Sequence, residues 1–136
     1  MKLLLFYAHE WWFKTAAKGL PQVPDMDTED SVDNAVVVFF HAEKEDEEKG
    51  KGLLDKAVKN IKWLAGKFGT KNVVMHSFNH LSSSKASPEF SESIMKQITE
   101  RLQNASYVVM CTPFGYFNEF SIHVGGESLA KVFKEL

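Results

Sequence analysis

The apolar positions fall into two kinds of run. The first is short and nearly continuous: LLLFY at 3–7, NAVVVFFHAE at 34–43, NVVMHSF at 72–78 and YVVMCTPF at 107–114. Runs this rich in β-branched and aromatic residues predict buried strands. A fifth run, EFSIHV at 119–124, alternates and predicts another strand. The second kind keeps helical spacing. Leu53, Leu54, Ala57, Val58, Ile61, Leu64, Ala65 and Phe68 mark one helix face, which Gly69 is placed to end. Ser87 is placed as an N-cap with Pro88 at the first helical position, ahead of Phe90, Ile94, Ile98 and Leu102 on one stripe. After Gly125-Gly126, the spacing of Leu129, Val132, Phe133 and Leu136 predicts a short terminal helix.

The order is therefore β, long connection, β-α-β-α-β, β, α. Residues 19–33 carry two prolines and several acids without periodicity, which predicts a connection with little regular structure. The acidic run at 43–48, closed by KGKG, reads as a solvated loop and lacks the pattern of a calcium loop. The two helical crossovers favour parallel pairing. The short GYFN link at 115–118 points to an antiparallel hairpin or a corner. The expected fold is α/β, a single domain of residues 1–136 with a mixed sheet and packed helices. Its strand ends at 78–80 and 112–114 should lie side by side at one edge.

Composition narrows the setting. With 136 residues, 44% of them hydrophobic, the chain can bury one real core. A net charge of −2 supplies no overall field to attract nucleic acid or an anionic membrane. The lone Cys111 leaves no internal disulfide and suggests a reducing compartment. The apolar N-terminal run is broken by His9 and Glu10, with no cleavage site after it, and no window approaches the roughly 18 apolar residues of a membrane span. A cytoplasmic protein is expected.

Candidate chemistry is sparse. His76 and His80 are four residues apart, about 13 Å on a strand, too far for one zinc with bonds of about 2 Å. No metal or cofactor is expected. Cys111 lies in an apolar strand and reads as a structural thiol. Lys56, Lys59, Lys62 and Lys67 could touch a few phosphates or form a solvated helix face. Gly125-Gly126 could offer N–H groups to an anion, or be only a turn. The strand ends hold more: His80, Ser82 and Ser83 facing Phe114, Tyr116 and Phe117 have the ingredients of a small-molecule or nucleobase pocket. Capping and core packing explain the same residues.

HLSS after a strand, about thirty residues before PFGY, with SLAKVF following, resembles the editing domain of archaeal threonyl-tRNA synthetase, which has the D-aminoacyl-tRNA-deacylase-like fold. The resemblance runs from MKLLLFYAHE to the chain end and is sharpest at 78–88 and 113–130. It implies a free-standing or excised editing domain that hydrolyses serine misacylated on threonine tRNA. The need is physical, since one methyl gives only about 1–3 kcal/mol of discrimination. It also implies a homodimer, with the tRNA acceptor end and threonyl-tRNA synthetase as partners. Attack would come from a water beside the substrate's vicinal ribose hydroxyl, without metal. His80, Tyr116 and Asn118 fall on the catalytic positions. Phe78, Asn79, Ser82, Ser83, Pro113, Phe114 and Phe117 fall on the substrate-binding ones. The chain departs from the family at three places. Asn118 replaces a lysine, Lys131 aligns with an acid of the terminal helix, and Tyr7-Ala8-His9 replaces HSD. These departures also suit a non-catalytic homologue that docks a tRNA acceptor end or a synthetase. An unrelated small-molecule binder using the same strand edge is a third reading.

Overall fold

The computed structural model describes all residues from Met1 to Leu136. Its elements are β1 (Lys2–Lys18), β2 (Glu29–His41), α1 (Lys51–Lys67), β3 (Asn72–Ser77), α2 (Pro88–Asn104), β4 (Val108–Cys111), β5 (Tyr116–Val124) and β6 (Lys131–Glu135). The six strands form one mixed sheet in the order β4-β3-β2-β1-β5, with β6 also on β1. β2, β3 and β4 are mutually parallel, and every pairing of β1 is antiparallel. The α/β architecture is the one expected, and the two helices begin and end close to where their periodicity and caps place them. Ser87 Oγ accepts the Phe90 N–H at 3.1 Å, and Pro88 opens α2. No helix is long and apolar enough to cross a membrane.

Three expectations are corrected. The first strand does not stop near residue 7 but runs to Lys18, because both its edges are occupied for nearly its whole length. β2 takes one edge, while β6 (opposite Lys2 to Phe6) and then β5 (opposite Ala8 to Lys18) share the other. The return segment at 29–33, read as irregular, is strand for the same reason: its backbone groups bond to β1. The terminal helix is β6. Five residues of helix would bring little hydrogen bonding of their own, whereas Lys131 to Glu135 complete the open edge of β1. Val132 and Leu136 then meet the core while Phe133 points to the other face. Of the two readings of the GYFN link, the corner is the one seen, since β5 leaves β4 and pairs with β1.

Alternation along β1 splits the apolar side chains between the two sheet faces. Leu3 and Leu5 join Val36, Val38, Val73 and Met75 beneath α1 and α2, where Ile61, Leu64, Ile98 and Leu102 close the main core. Ala8, Trp11 and Phe13 join Val37, Phe39 and Val74 on the opposite face.

The acidic run is not simply solvated. Residues Lys44–Glu48 form a 3-10 turn, and Asp46 is fully buried. The Met1 ammonium donates to Asp46 Oδ1 at 2.7 Å and to Glu43 Oε1 at 3.0 Å. Ser82 Oγ donates to Glu43 Oε2 at 2.7 Å, which ties the loop after β3 to the start of β1. Burial alone would raise the Glu43 pKa, but hydrogen bonds from Ser82, the terminal ammonium and Lys2 outweigh it and hold the carboxyl at about 2. A depressed carboxyl stabilises the fold fully above its unfolded value of about 4.3 and loses that contribution as pH falls toward about 2. Glu43→Gln should therefore cost on the order of 2 kcal/mol at pH 7. It should also flatten the stability loss between about pH 4.5 and 2. Urea melts of both proteins across that range check this, and parallel pH profiles would refute it.

Candidate functional site

Parallel pairing of β3 with β4 sends both chains off the same end of the sheet. Phe78 N bonds to Phe40 O and Thr112 N to Met75 O, so the ladder carries on past the strand ends and fixes both exits. The far half of β1, with register shifts between Ala8 and Glu10 and between Thr15 and Ala17, carries β5 to these exits. Between them lies a cleft of about 700 Å³.

Eight of the ten site residues expected from the sequence line this cleft: Phe78, Asn79, His80, Pro113, Phe114, Tyr116, Phe117 and Asn118. Ser82 and Ser83 do not. Ser82 holds Glu43 and accepts the Ser84 N–H at 3.1 Å, so the serine cluster braces the loop behind the cleft. His41 completes that brace, with Nε2 2.6 Å from Ser84 O and Nδ1 accepting the Leu81 N–H.

The Tyr116 hydroxyl is already committed. It donates to Pro24 O at 2.6 Å and accepts the Met26 N–H at 2.8 Å, fastening the β1–β2 connection across β5. Its contribution to the cleft is its ring. Asn118 Nδ2 donates to Tyr116 O at 3.3 Å, and its Oδ1 is buried without a donor. Phe117, 67% exposed, stands at the rim as an open aromatic face. His80 packs edge-on against Phe78 with ring centroids 5.0 Å apart.

The residues of the other two departures lie elsewhere. Lys131 Nζ donates to Gly125 O at 2.8 Å and does not line the cleft. Tyr7 stacks on Phe68 and bonds Asn34, and His9 meets His123. Lys56 and Lys59 flank a separate shallow depression with Trp63 and Lys134. Cys111 Sγ lies 3.3 Å from Thr99 Oγ1, and burial pushes its pKa up, as for a structural thiol. No three His, Cys, Asp or Glu side chains cluster tightly enough to hold a metal ion.

Sequence reasoning missed His76, Thr112 and Phe120, all of which line the cleft. Strand period would have found His76, because it shares a face with Phe78. Phe120 arrives only through the β1–β5 pairing.

The mixed sheet order and the two packed helices place the chain in the D-aminoacyl-tRNA-deacylase-like fold class. The same fold is seen in the c-Myc DNA Unwinding Element Binding Protein, with a TM-score of 0.72, 13% identity, and coverage of 100% of this chain and 99% of that one. A family model, the archaea-specific editing domain of threonyl-tRNA synthetase, matches residues 1–136, and the chain belongs to that family. It is 30% identical over 138 residues to a threonine--tRNA ligase of Hyperthermus butylicus and 32% over 134 residues to one of Methanosphaera stadtmanae. Each match covers 97% of this chain but spans only 22% of the relative's length.

Gly115 sets the cleft wall. Its φ is +82°, and a Cβ there would sit 2.6 Å from Val23 Cγ1. Its carbonyl also accepts the Gly19 and Leu20 N–H groups, which binds the end of β1 to the start of β5. Gly115→Ala should cost about 1–3 kcal/mol, from the left-handed backbone and the clash together. A thermal melt checks this, and an unchanged midpoint would refute the wall's dependence on this turn.

Proposed function

We propose that this chain is an aminoacyl-tRNA deacylase that hydrolyses the ester of serine misacylated on threonine tRNA. The observation that carries the reading is the cleft itself: in a chain of this family, His80, Asn118 and the aromatic residues of PFGYF converge on one ligand-sized opening. Phe117 at the rim suits stacking on the terminal adenine. The strand-end backbone at Phe78 and Asn79 would hold the aminoacyl group, with Pro113 and Phe114 against it. His80 and Asn118 would orient a water toward the ester carbonyl, assisted by the vicinal ribose hydroxyl and without metal. The setting would be cytoplasmic, beside threonyl-tRNA synthetase. The domain would comprise the whole of residues 1–136.

A second reading, a non-catalytic module that docks a tRNA acceptor end or a synthetase, is favoured by one observation. Asn118 presents no positive charge to the cleft at the position of the family's lysine. Deacylation assays separate the two. The first reading expects Ser-tRNA(Thr) to be cleared at least about tenfold faster than Thr-tRNA(Thr), a barrier difference of about 1.4 kcal/mol. His80→Ala should slow clearance by roughly 10²-fold. Tight acceptor-end binding with clearance at the spontaneous rate would leave the docking reading standing instead.

The same reading includes a homodimer. Leu4 lies opposite Phe133 on the sheet face without helices, and Phe6 continues that stripe. Phe133 is 49% exposed. A stripe of large apolar groups on a flat strand pair suits a self-complementary contact. Sedimentation equilibrium should give a dimer that Phe133→Glu converts to monomer, and a monomeric wild type would exclude this contact.

A further inference from the structure

His76 lies on the cleft wall, 4% exposed, with the rings of Trp11, Phe39, Phe78 and Phe120 at centroid distances between 4.9 and 6.3 Å. Its Nδ1 is 3.0 Å from Thr112 Oγ1. The Thr112 hydroxyl in turn donates to Met75 O at 3.5 Å, so its oxygen is left to accept from Nδ1–H. With the hydroxyl so turned, Nδ1 is assigned the proton and Nε2 the lone pair. Nε2 has no partner in the protein, yet it is not one of the two orphaned polar atoms sealed from solvent, Trp11 Nε1 and Asn118 Oδ1. It is thus an acceptor open to the cleft.

Burial holds the imidazole well below its ordinary value, at about 4, so it is neutral under physiological conditions. Aromatic rings and Thr112 are its neighbours from β1, β2, β3, β5 and the end of β4, and the titratable groups that share its cleft are His80, Lys85 and Tyr116. Asn118 and Phe120 share one face of β5, and the amide oxygen of Asn118 also lacks a donor. The one acceptor that His76 opens to the cleft therefore stands among ring systems that favour a cation.

We propose that His76 Nε2, held in its acceptor tautomer by Thr112, binds the α-ammonium of the aminoacyl group and so selects an α-amino ester as ligand. This rests on the deacylase reading and deepens it. His76 contacts the ligand, and Thr112 is a positioning residue that acts through it.

The test uses two non-hydrolysable ligands: adenosine carrying a 3′-seryl amide, and the same compound with the α-amine replaced by hydrogen. Calorimetry at pH 6, where the amine is charged and His76 is not, should show the amine compound binding at least about tenfold tighter. Thr112→Val should cut that ratio at least about threefold by releasing the tautomer, and His76→Phe should abolish it while leaving the des-amino affinity in place. The ¹⁵N shift of His76 Nε2 should move with the amine compound alone. Equal affinities in the wild type, or a preference that survives His76→Phe, would overturn the assignment and leave the deacylase reading intact. If neither compound binds, the cleft is no aminoacyl site and both fall. Should His76→Phe fail to fold, the two ligands on the wild type and on Thr112→Val still decide.

Discussion

The molecule hangs on the hydrogen bonding of β1. This one strand satisfies both of its edges for nearly its whole length, with β2 on one side and β6 then β5 on the other. Backbone N–H and C=O groups sealed from water must find partners, and β1 supplies them to three other strands at once. It also hands the chain from one core to the other, since Leu3 and Leu5 lie under the helices while Trp11 and Phe13 lie on the far face. Its register shifts carry the far half, with β5 attached, over to the ends of β3 and β4. The cleft is a consequence of that hand-over.

Carboxylates are kept away from the cleft lining. Around the cleft, His76 is kept neutral by burial, Asn118 is uncharged, and the rings of Phe78, Phe114, Tyr116, Phe117 and Phe120 stand among polar residues that include Lys85. The carboxylates that could compete for a cationic ligand are tied up behind it: Glu43 with Ser82, Lys2 and the terminal ammonium, and Asp46 with that ammonium and Lys49. In a low-dielectric cleft an uncompensated charge would dominate binding. Neutral acceptors with fixed tautomers can instead discriminate by whether a donor is present.

Rigidity around the cleft comes from straps that tie loops to distant elements. The Tyr116 hydroxyl holds Pro24 and Met26, the Gly115 carbonyl holds Gly19 and Leu20, and His41 with Glu43 holds the serine loop. These bonds hold the loops that carry Phe78, His80 and Phe114 in place without any of those side chains having to bond to another. The aromatic faces and the strand-end backbone are left free for a ligand.

Local signals were enough for much of this. The spacing of Leu53 through Phe68 and the Ser87-Pro88 cap determine the helices, because periodicity and capping are properties of adjacent residues. The runs at 34–43, 72–78 and 107–114 determine three parallel strands, and with them the neighbouring exits at Phe78 and Thr112. PFGY and the histidine of HLSS marked two parts of the cleft wall. What lay beyond the sequence depended on partners distant along the chain. Residues 8–18 are strand because they border 29–33 on one edge and β5 on the other, and residues 131–135 are strand because β1 leaves an edge open. Ser82 became a brace through a carboxylate 39 positions away, and His76 found its one side-chain partner in a threonine 36 positions away. Hydrogen bonds of that kind leave no periodic trace, so only tertiary structure could decide them.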